Sequence, residues 1–265
     1  MVRYDDLVKY SAIFEESEVV AFDVFDTILY RKVSPMHVHR IWAKSLIEKL
    51  GLKLTVDELV KLKFECGRLA KLKNIIYGND REYRYKQMSN LLKRKLMLNM
   101  DNNVFYSICV EFELNAEKQV SYIPDEVKKT IERIKVEKQV ICISDYYLPG
   151  NILKQILHSK GVEIDLVFVS SDYLLQKRTS RLYDVVVQRM KIEPGKILMV
   201  GDTKSSDYDQ ALKAGLRAIY VENSERKEYY DRFEKTLQMS KEENYKNKMI
   251  IVEICLLYTS DAADD

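Results

Sequence analysis

AFDVFDTIL, residues 21–29, decides how this chain is read. Its start completes EVVAF (18–22), a short β-branched and apolar run typical of a buried parallel strand. Asp23 and Asp26 follow, with Phe25 between them and Thr27 just beyond. Three further apolar runs also end in polar residues. QVICI (139–143) precedes Ser144 and Asp145, IDLVFV (164–169) precedes Ser170, Ser171 and Asp172, and KILMV (196–200) precedes Gly201 and Asp202. AIYV (218–221) makes a fifth strand, and helical texture over 125–136, 151–159, 180–190 and 206–214 separates the later runs. This alternation predicts an α/β fold with a doubly wound, Rossmann-like parallel sheet. Open parallel sheets bind ligands outside the carboxyl ends of their strands, where these polar residues stand.

Between the first two strands lies a block without strand texture, 34–121. Ser34 and Pro35 start a helix that stops at Gly51, and Thr55 with Glu58 three residues later opens a second. Residues 81–98 and 102–121 read as two more helices, and 5–17 as a short amphipathic one. The expected organisation is a core of residues 1–30 and 124–222, an all-helical insert at 31–123, and a polar, helical tail or linker at 223–254.

With 46% apolar residues in 265, the chain can bury a sizeable core. Lys plus Arg number 43 and Asp plus Glu 41, which gives no electrostatic footprint for nucleic acid. The cysteines at 66, 109, 142 and 255 lack metal or redox spacing, so a reducing, cytoplasmic setting is expected. No window approaches the ~18 apolar residues of a membrane span. The last residues, Cys255–Asp265, change style abruptly. Their codons can spell TGTCTCTTATACACATCT followed by GACGCTGCCGAC, the end sequence of a transposase-based sequencing adapter. Residues 255–265 are therefore expected to be translated adapter, and the native chain to run on past Ile254 into a fused C-terminal domain.

Strand ends rich in carboxylates call for a cation. Hard oxygen ligands suit Mg²⁺, which keeps room for phosphate oxygens. A lysine and a serine can hold the remaining oxygens of a phosphoryl group, and a carboxylate nucleophile can split its transfer into two easier steps. Phe22-Asp23-x-x-x-Thr27, Ser144, Lys177 and Gly201-Asp202-x4-Asp207 resemble, in order, the four motifs of the haloacid dehalogenase-like (HAD) hydrolases. The 34–121 block looks like that family's type 1 cap. FDVFDTIL, SDYYLP (144–149), VSSD (169–172) and the Lys177–Tyr183 segment resemble the HAD-type proteins found with, or fused to, glycosyltransferases of surface polysaccharide synthesis.

The resemblance implies roles. Asp23 is the nucleophile, because Thr27 lies four residues on, whereas Asp26 has Tyr30 at that offset. Asp202, with Asp207, would hold Mg²⁺ together with the Asp23 carboxylate and the main-chain carbonyl of Phe25. Ser144 and Lys177 would bind phosphoryl oxygens, with Thr27 and Asp145 completing the substrate-binding set. The implied activity is phosphohydrolysis or phosphotransfer on a small phosphorylated metabolite, a sugar phosphate being one candidate.

Two residues depart from the family pattern. Phosphatases of this family usually carry a second Asp, the general acid, where Phe25 stands. Asp26 is then either a substitute acid or only a hydrogen-bonding group of the turn. Ser180 replaces a Gly common in the polysaccharide-associated group. Phe25 keeps alive an alternative, a catalytically weak or inactive binding or regulatory domain. A dehalogenase also tolerates a non-acid there, but it needs neither Mg²⁺ nor the Asp202–Asp207 pair. His37, His39 and His158 read as structural or surface residues. Tyr77, Tyr83, Tyr85 and Tyr106 are either core or half-buried surface residues or the wall of a sugar pocket.

Overall fold

The computed structural model describes Leu7 and residues 11–243. Expectations for 244–265, the adapter reading among them, fall outside the described residues, as does part of the helix expected over 5–17. Helix α1 (Ser11–Glu15) leads into β1 (Val19–Phe22), and β2 (Tyr30–Arg31) follows. Four helices come next: α2 (Pro35–Leu50), α3 (Val56–Ile76), α4 (Tyr85–Lys95) and α5 (Asn102–Val120). After β3 (Ser121–Tyr122) the chain alternates through α6 (Asp125–Lys135), β4 (Gln139–Ser144), α7 (Gly150–Ser159), β5 (Leu166–Val169) and α8 (Ser170–Tyr173). It ends with α9 (Arg181–Met190), β6 (Ile197–Gly201), α10 (Gln210–Lys213), β7 (Arg217–Tyr220) and α11 (Ser224–Glu243).

The main sheet is parallel, in the order β5-β4-β1-β6-β7, with β1 at its centre. All four residues of β1 are buried, which explains a strand sequence with no polar alternation. Successive side chains still divide between the two faces. Val20, Phe22, Val140, Cys142, Leu198 and Val200 enter one core, while Val19, Ala21, Ile141, Ile143, Ile197 and Met199 enter the other.

Local sequence sets the helix starts. The Ser34 side chain accepts the His37 N–H with Pro35 in the first turn, and Gly51 ends α2 in the left-handed region. Thr55 and Glu58 form a reciprocal capping box on α3. Three expectations need correction. The helix expected from residue 81 begins at Tyr85, because Asp80 and Glu82 bond instead to the loop after β5. The helix expected over 206–214 begins as a π-helical turn, Lys204–Asp209, before α10. The helical block is closed at its base by a two-stranded antiparallel ribbon that pairs Tyr30 with Tyr122 and Arg31 with Ser121. Two residues per strand carry no readable periodicity.

The interface between the helical block and the sheet is polar. On α5, Glu117 takes two hydrogen bonds from Arg31, at 2.9 and 2.6 Å, and one from the Tyr146 hydroxyl at 2.9 Å. One turn earlier, Glu113 pairs with buried Lys63 and accepts the Tyr85 and Tyr147 hydroxyls at 3.0 and 2.9 Å. The Lys63 ammonium also meets His39 Nδ1 at 2.9 Å and lies over the Trp42 ring. Burial and the Lys63 charge hold His39 well below the ordinary histidine value, so a neutral ring accepts that proton.

Removing one member of such a pair leaves the other charge buried. Glu113→Ala is expected to cost about 3–5 kcal/mol in urea unfolding, and the double change Lys63→Met, Glu113→Leu to recover most of it. A double variant no more stable than the single one would contradict this account.

Candidate active site

Asp23 stands one residue beyond β1, where its N–H still donates to the Val200 carbonyl at 2.9 Å. Ser144 ends β4, the neighbour of β1 in the sheet, and is buried. Asp202 follows β6 on the other side. Strand pairing alone therefore gathers these three. Asp207 arrives through the π-helical turn: its Oδ2 accepts the Thr203 N–H at 3.0 Å, and Ser206 Oγ donates to its Oδ1 at 3.2 Å. Gly201 makes room for it, since a Cβ there would lie 2.4 Å from Asp207 Oδ2. Such π-turns are frequent at functional sites.

Lys177 lies on a 3₁₀ turn, Lys177–Thr179, and its ammonium is buried between two carboxylates. It is 2.5 Å from Asp23 Oδ1 and 2.6 Å from Asp207 Oδ1. Carboxylate oxygens of Asp23, Asp202 and Asp207 lie within 4.8 Å of one another. The Thr27 hydroxyl donates to Asp23 at 3.5 Å and to Asp202 at 3.4 Å, at the limit of such bonds. Asp145 does not face this cluster freely: its Oδ1 accepts the Lys177 N–H at 2.9 Å, which makes it a brace for the lysine loop.

The charges are unbalanced. Burial is the main force raising the Asp23 pKa to about 8; Lys177 opposes it, and Asp207 and Asp202 add to it. Burial, Asp207 and Asp26 push Asp202 up to about 6. Burial works against the Lys177 ammonium, but Asp23 and Asp207 more than offset it and hold its pKa well above the ordinary lysine value. An all-oxygen set of three crowded carboxylates, short of positive charge, fits a hard divalent cation such as Mg²⁺.

Phe25 and Asp26 both turn away to other work. The Phe25 ring packs at 4.6 Å from the Tyr146 ring, and the Arg31 guanidinium lies 3.8 Å above its centre. The Phe25 side chain is thus part of the interface with the helical block. Asp26 adopts a left-handed conformation, φ 59°, which Asp tolerates better than most residues. Its Oδ1 accepts the Tyr230 hydroxyl at 2.6 Å and lies 3.6 Å from Arg226 Nε, while Asn223 donates to its main-chain carbonyl. The geometry favours the turn-anchoring role for Asp26 over the substitute acid.

Helix α11 provides those partners. Its docked face, formed by Arg226, Tyr229, Tyr230, Phe233 and Glu234, also reaches the Arg31 and Lys32 carbonyls, the His37 ring, Ser34 and Arg40. The sequence reading missed this role, although the helical spacing of those residues was a signal. It also missed Tyr146 and Tyr147, which immediately follow Asp145, and Asp80, which carries no local signal. His158 pairs with Glu163 at the surface, and His39 belongs to the buried interface. Tyr83 and Tyr85 are core residues, whereas Tyr77 is exposed.

Comparison with known proteins agrees with this fold. The HAD-hydrolase-like family model matches residues 175–238. The 2-haloacid dehalogenase from Pseudomonas syringae pv. Tomato DC3000 is similar in structure, with a TM-score of 0.54, 19% identity, and 77% of this chain and 86% of that one covered. The defluorinating L-2-haloacid dehalogenase Rha0230 gives 0.53 at 15% identity, covering 77% and 80%. The L-2-haloacid dehalogenase PA0810 gives 0.54 at 13%, covering 78% and 84%. At these identities the structures speak for the fold. No curated protein matches the sequence. The partial family match and the similar structures together give the chain a HAD-like fold, and among the described residues no helix is long and apolar enough to cross a membrane.

The crowding has a sign that can be measured. Asp23 has a folded pKa of about 8, above its unfolded value of ~3.9. Its favourable contribution is complete below about pH 4 and is lost as pH rises towards 8. Asp23→Asn is expected to raise the unfolding free energy at pH 8 in EDTA by about 1 kcal/mol or more, with little change near pH 4. Thermal or urea unfolding at the two pH values checks this, and a less stable variant at pH 8 would contradict it.

Proposed function

We propose that the chain is a Mg²⁺-dependent phosphohydrolase or phosphotransferase that acts on a small phosphorylated metabolite through an aspartyl phosphate. The observation that carries this reading is the group Asp23, Asp202 and Asp207, within 4.8 Å of one another around the Lys177 ammonium. Dehalogenation, the activity named for the similar structures, is a displacement at carbon and gains little from a cation held by three carboxylates. A transferring phosphoryl group needs that positive charge.

In this reading residues 1–30 and 124–222 form the catalytic core, and 31–123 form a cap over it. Thr27 orients the Asp23 carboxylate, which attacks phosphorus in line as the bond to the leaving oxygen breaks. Ser144 and the Lys177 ammonium hold the phosphoryl oxygens, and Asp145 braces the lysine loop. Asp23, Asp202, Asp207 and the Phe25 carbonyl would hold Mg²⁺, which supplies charge to neutralise the phosphoryl oxygens. Water then attacks the phosphoryl group, and breaking the bond to Asp23 regenerates the carboxylate. The three described cysteines are buried free thiols, in keeping with a reducing compartment.

Phe25 has no proton to give, and Asp26 is held by Tyr230 and Arg226. The enzyme should therefore favour substrates whose leaving oxygen needs no protonation. Aryl phosphates with acidic leaving groups are expected to turn over ~10²–10⁴-fold faster than sugar phosphates, the usual worth of general acid help. Phosphate release should require Mg²⁺ and vanish in Asp23→Asn and Asp202→Asn. Equal turnover in Asp23→Asn would sink the reading. The absence of any turnover would favour a second one, a binding or regulatory domain, which the use of Phe25 in the cap interface also supports.

A further inference from the structure

The turn between α3 and α4 reaches across to the loop that carries Lys177, and Asp80 makes most of the bonds between them, beside those from Gln176 to Arg81 and Glu82 and from Arg181 to the Gly78 carbonyl. Asp80 is a buried carboxylate. Its N–H donates to the Leu174 carbonyl at 3.0 Å, and its Oδ2 accepts the Gln176 N–H at 2.8 Å and the Thr179 hydroxyl. Its Oδ1 pairs with the Arg181 guanidinium at 2.8 Å. Gln176 and Thr179 bracket the single 3₁₀ turn on which Lys177 sits. On the opposite side Asp145 accepts the Lys177 N–H. The lysine turn is thus gripped from the core by one aspartate and from the helical block by another.

The loop has reason to need this grip. It is bounded by two residues other than glycine in the left-handed region, Leu174 at φ 59° and Ser180 at φ 63°. Such conformations persist only where the surroundings over-determine them. The helical block also has a second foothold close by, since Ser170 Oγ donates to Glu82 Oε2 at 2.8 Å. Glu82 therefore still ties the block to the core when Asp80 is replaced. What Asp80 adds is control of the turn itself.

We propose that Asp80 is a positioning residue for Lys177, so that the ammonium reaches its place between Asp23 and Asp207 only when the α3–α4 turn is seated on the core. The seating of the helical block and the completion of the phosphoryl-binding charge are then one event. The role of Lys177 towards phosphate rests on the function proposed above; the coupling between Asp80 and Lys177 does not.

Hydrogen exchange and pulsed amine acetylation of the full chain test it, both read by mass spectrometry. In Asp80→Ala, exchange across 174–181 and acetylation of Lys177 are each expected to rise about tenfold or more, the loss of a hydrogen bond to a charged group. Exchange in α2 and α5 should stay at the wild-type rate. Arg181→Ala, an exposed change that leaves the fold intact, should move both readouts the same way by a smaller factor. Wild-type acetylation of Lys177 in both variants would overturn the proposal, as would loosening of α2 and α5 together with the loop. Phosphate release, measured in parallel, should fall mainly in kcat. If the wild-type protein has no Asp23-dependent turnover, the functional reading fails while exchange and acetylation still decide the coupling.

Discussion

One ammonium among three carboxylates governs this molecule. Asp23, Asp202 and Asp207 are close enough to repel strongly, and Lys177 bonds directly to two of them. No local preference of the chain would assemble such a group. It exists because the adjacent parallel strands β1 and β6 end at the same edge, and because the lysine turn is held from both sides. The missing side chain of Gly201 and the π-helical turn before α10 serve the same end, letting Asp207 come up against the end of β6. A cluster of this kind is stable only in part, and its remaining negative imbalance is what fits it to a hard divalent cation.

The parts of the site legible in the sequence were those attached to strand ends. Asp23, Ser144 and Asp202 each close an apolar run, and strand pairing fixes their neighbours without further information. Lys177 and Asp207 were legible only through motif spacing. Other parts depended on distance along the chain. Tyr230 bonds to Asp26 across 204 positions, and nothing near either residue announces the other. Asp80 looked like one more acidic loop residue, because its partners arrive on a different element. The polar tail at 223–243 was legible as a helix but not as a docked one. Its contacts are mostly polar, to Asp26, Ser34, Arg40 and two main-chain carbonyls, so only the helical spacing of their partners, and no broad apolar stripe, could have marked the docked face.

Phe25 shows how a position can change employment. Its ring lies between Tyr146 and the Arg31 guanidinium, beside the Arg31–Glu117 pair. An aspartate there would remove the aromatic face beneath Arg31 and beside Tyr146. The neighbouring Asp26 is likewise engaged, by α11. Within the turn, chemistry and packing draw on the same few residues, and packing has taken two of them.

The run Ser144–Tyr147 sends four consecutive side chains or main-chain neighbours to different tasks: Ser144 at the sheet edge, Asp145 under the lysine turn, Tyr146 to Glu117 and Tyr147 to Glu113. Because the last two cross to the helical block, that block cannot lift as a freely swinging door. Each opening must strip two hydroxyls from two buried glutamates and hand both to water. A single residue inserted into the run would throw all four tasks out of register at once.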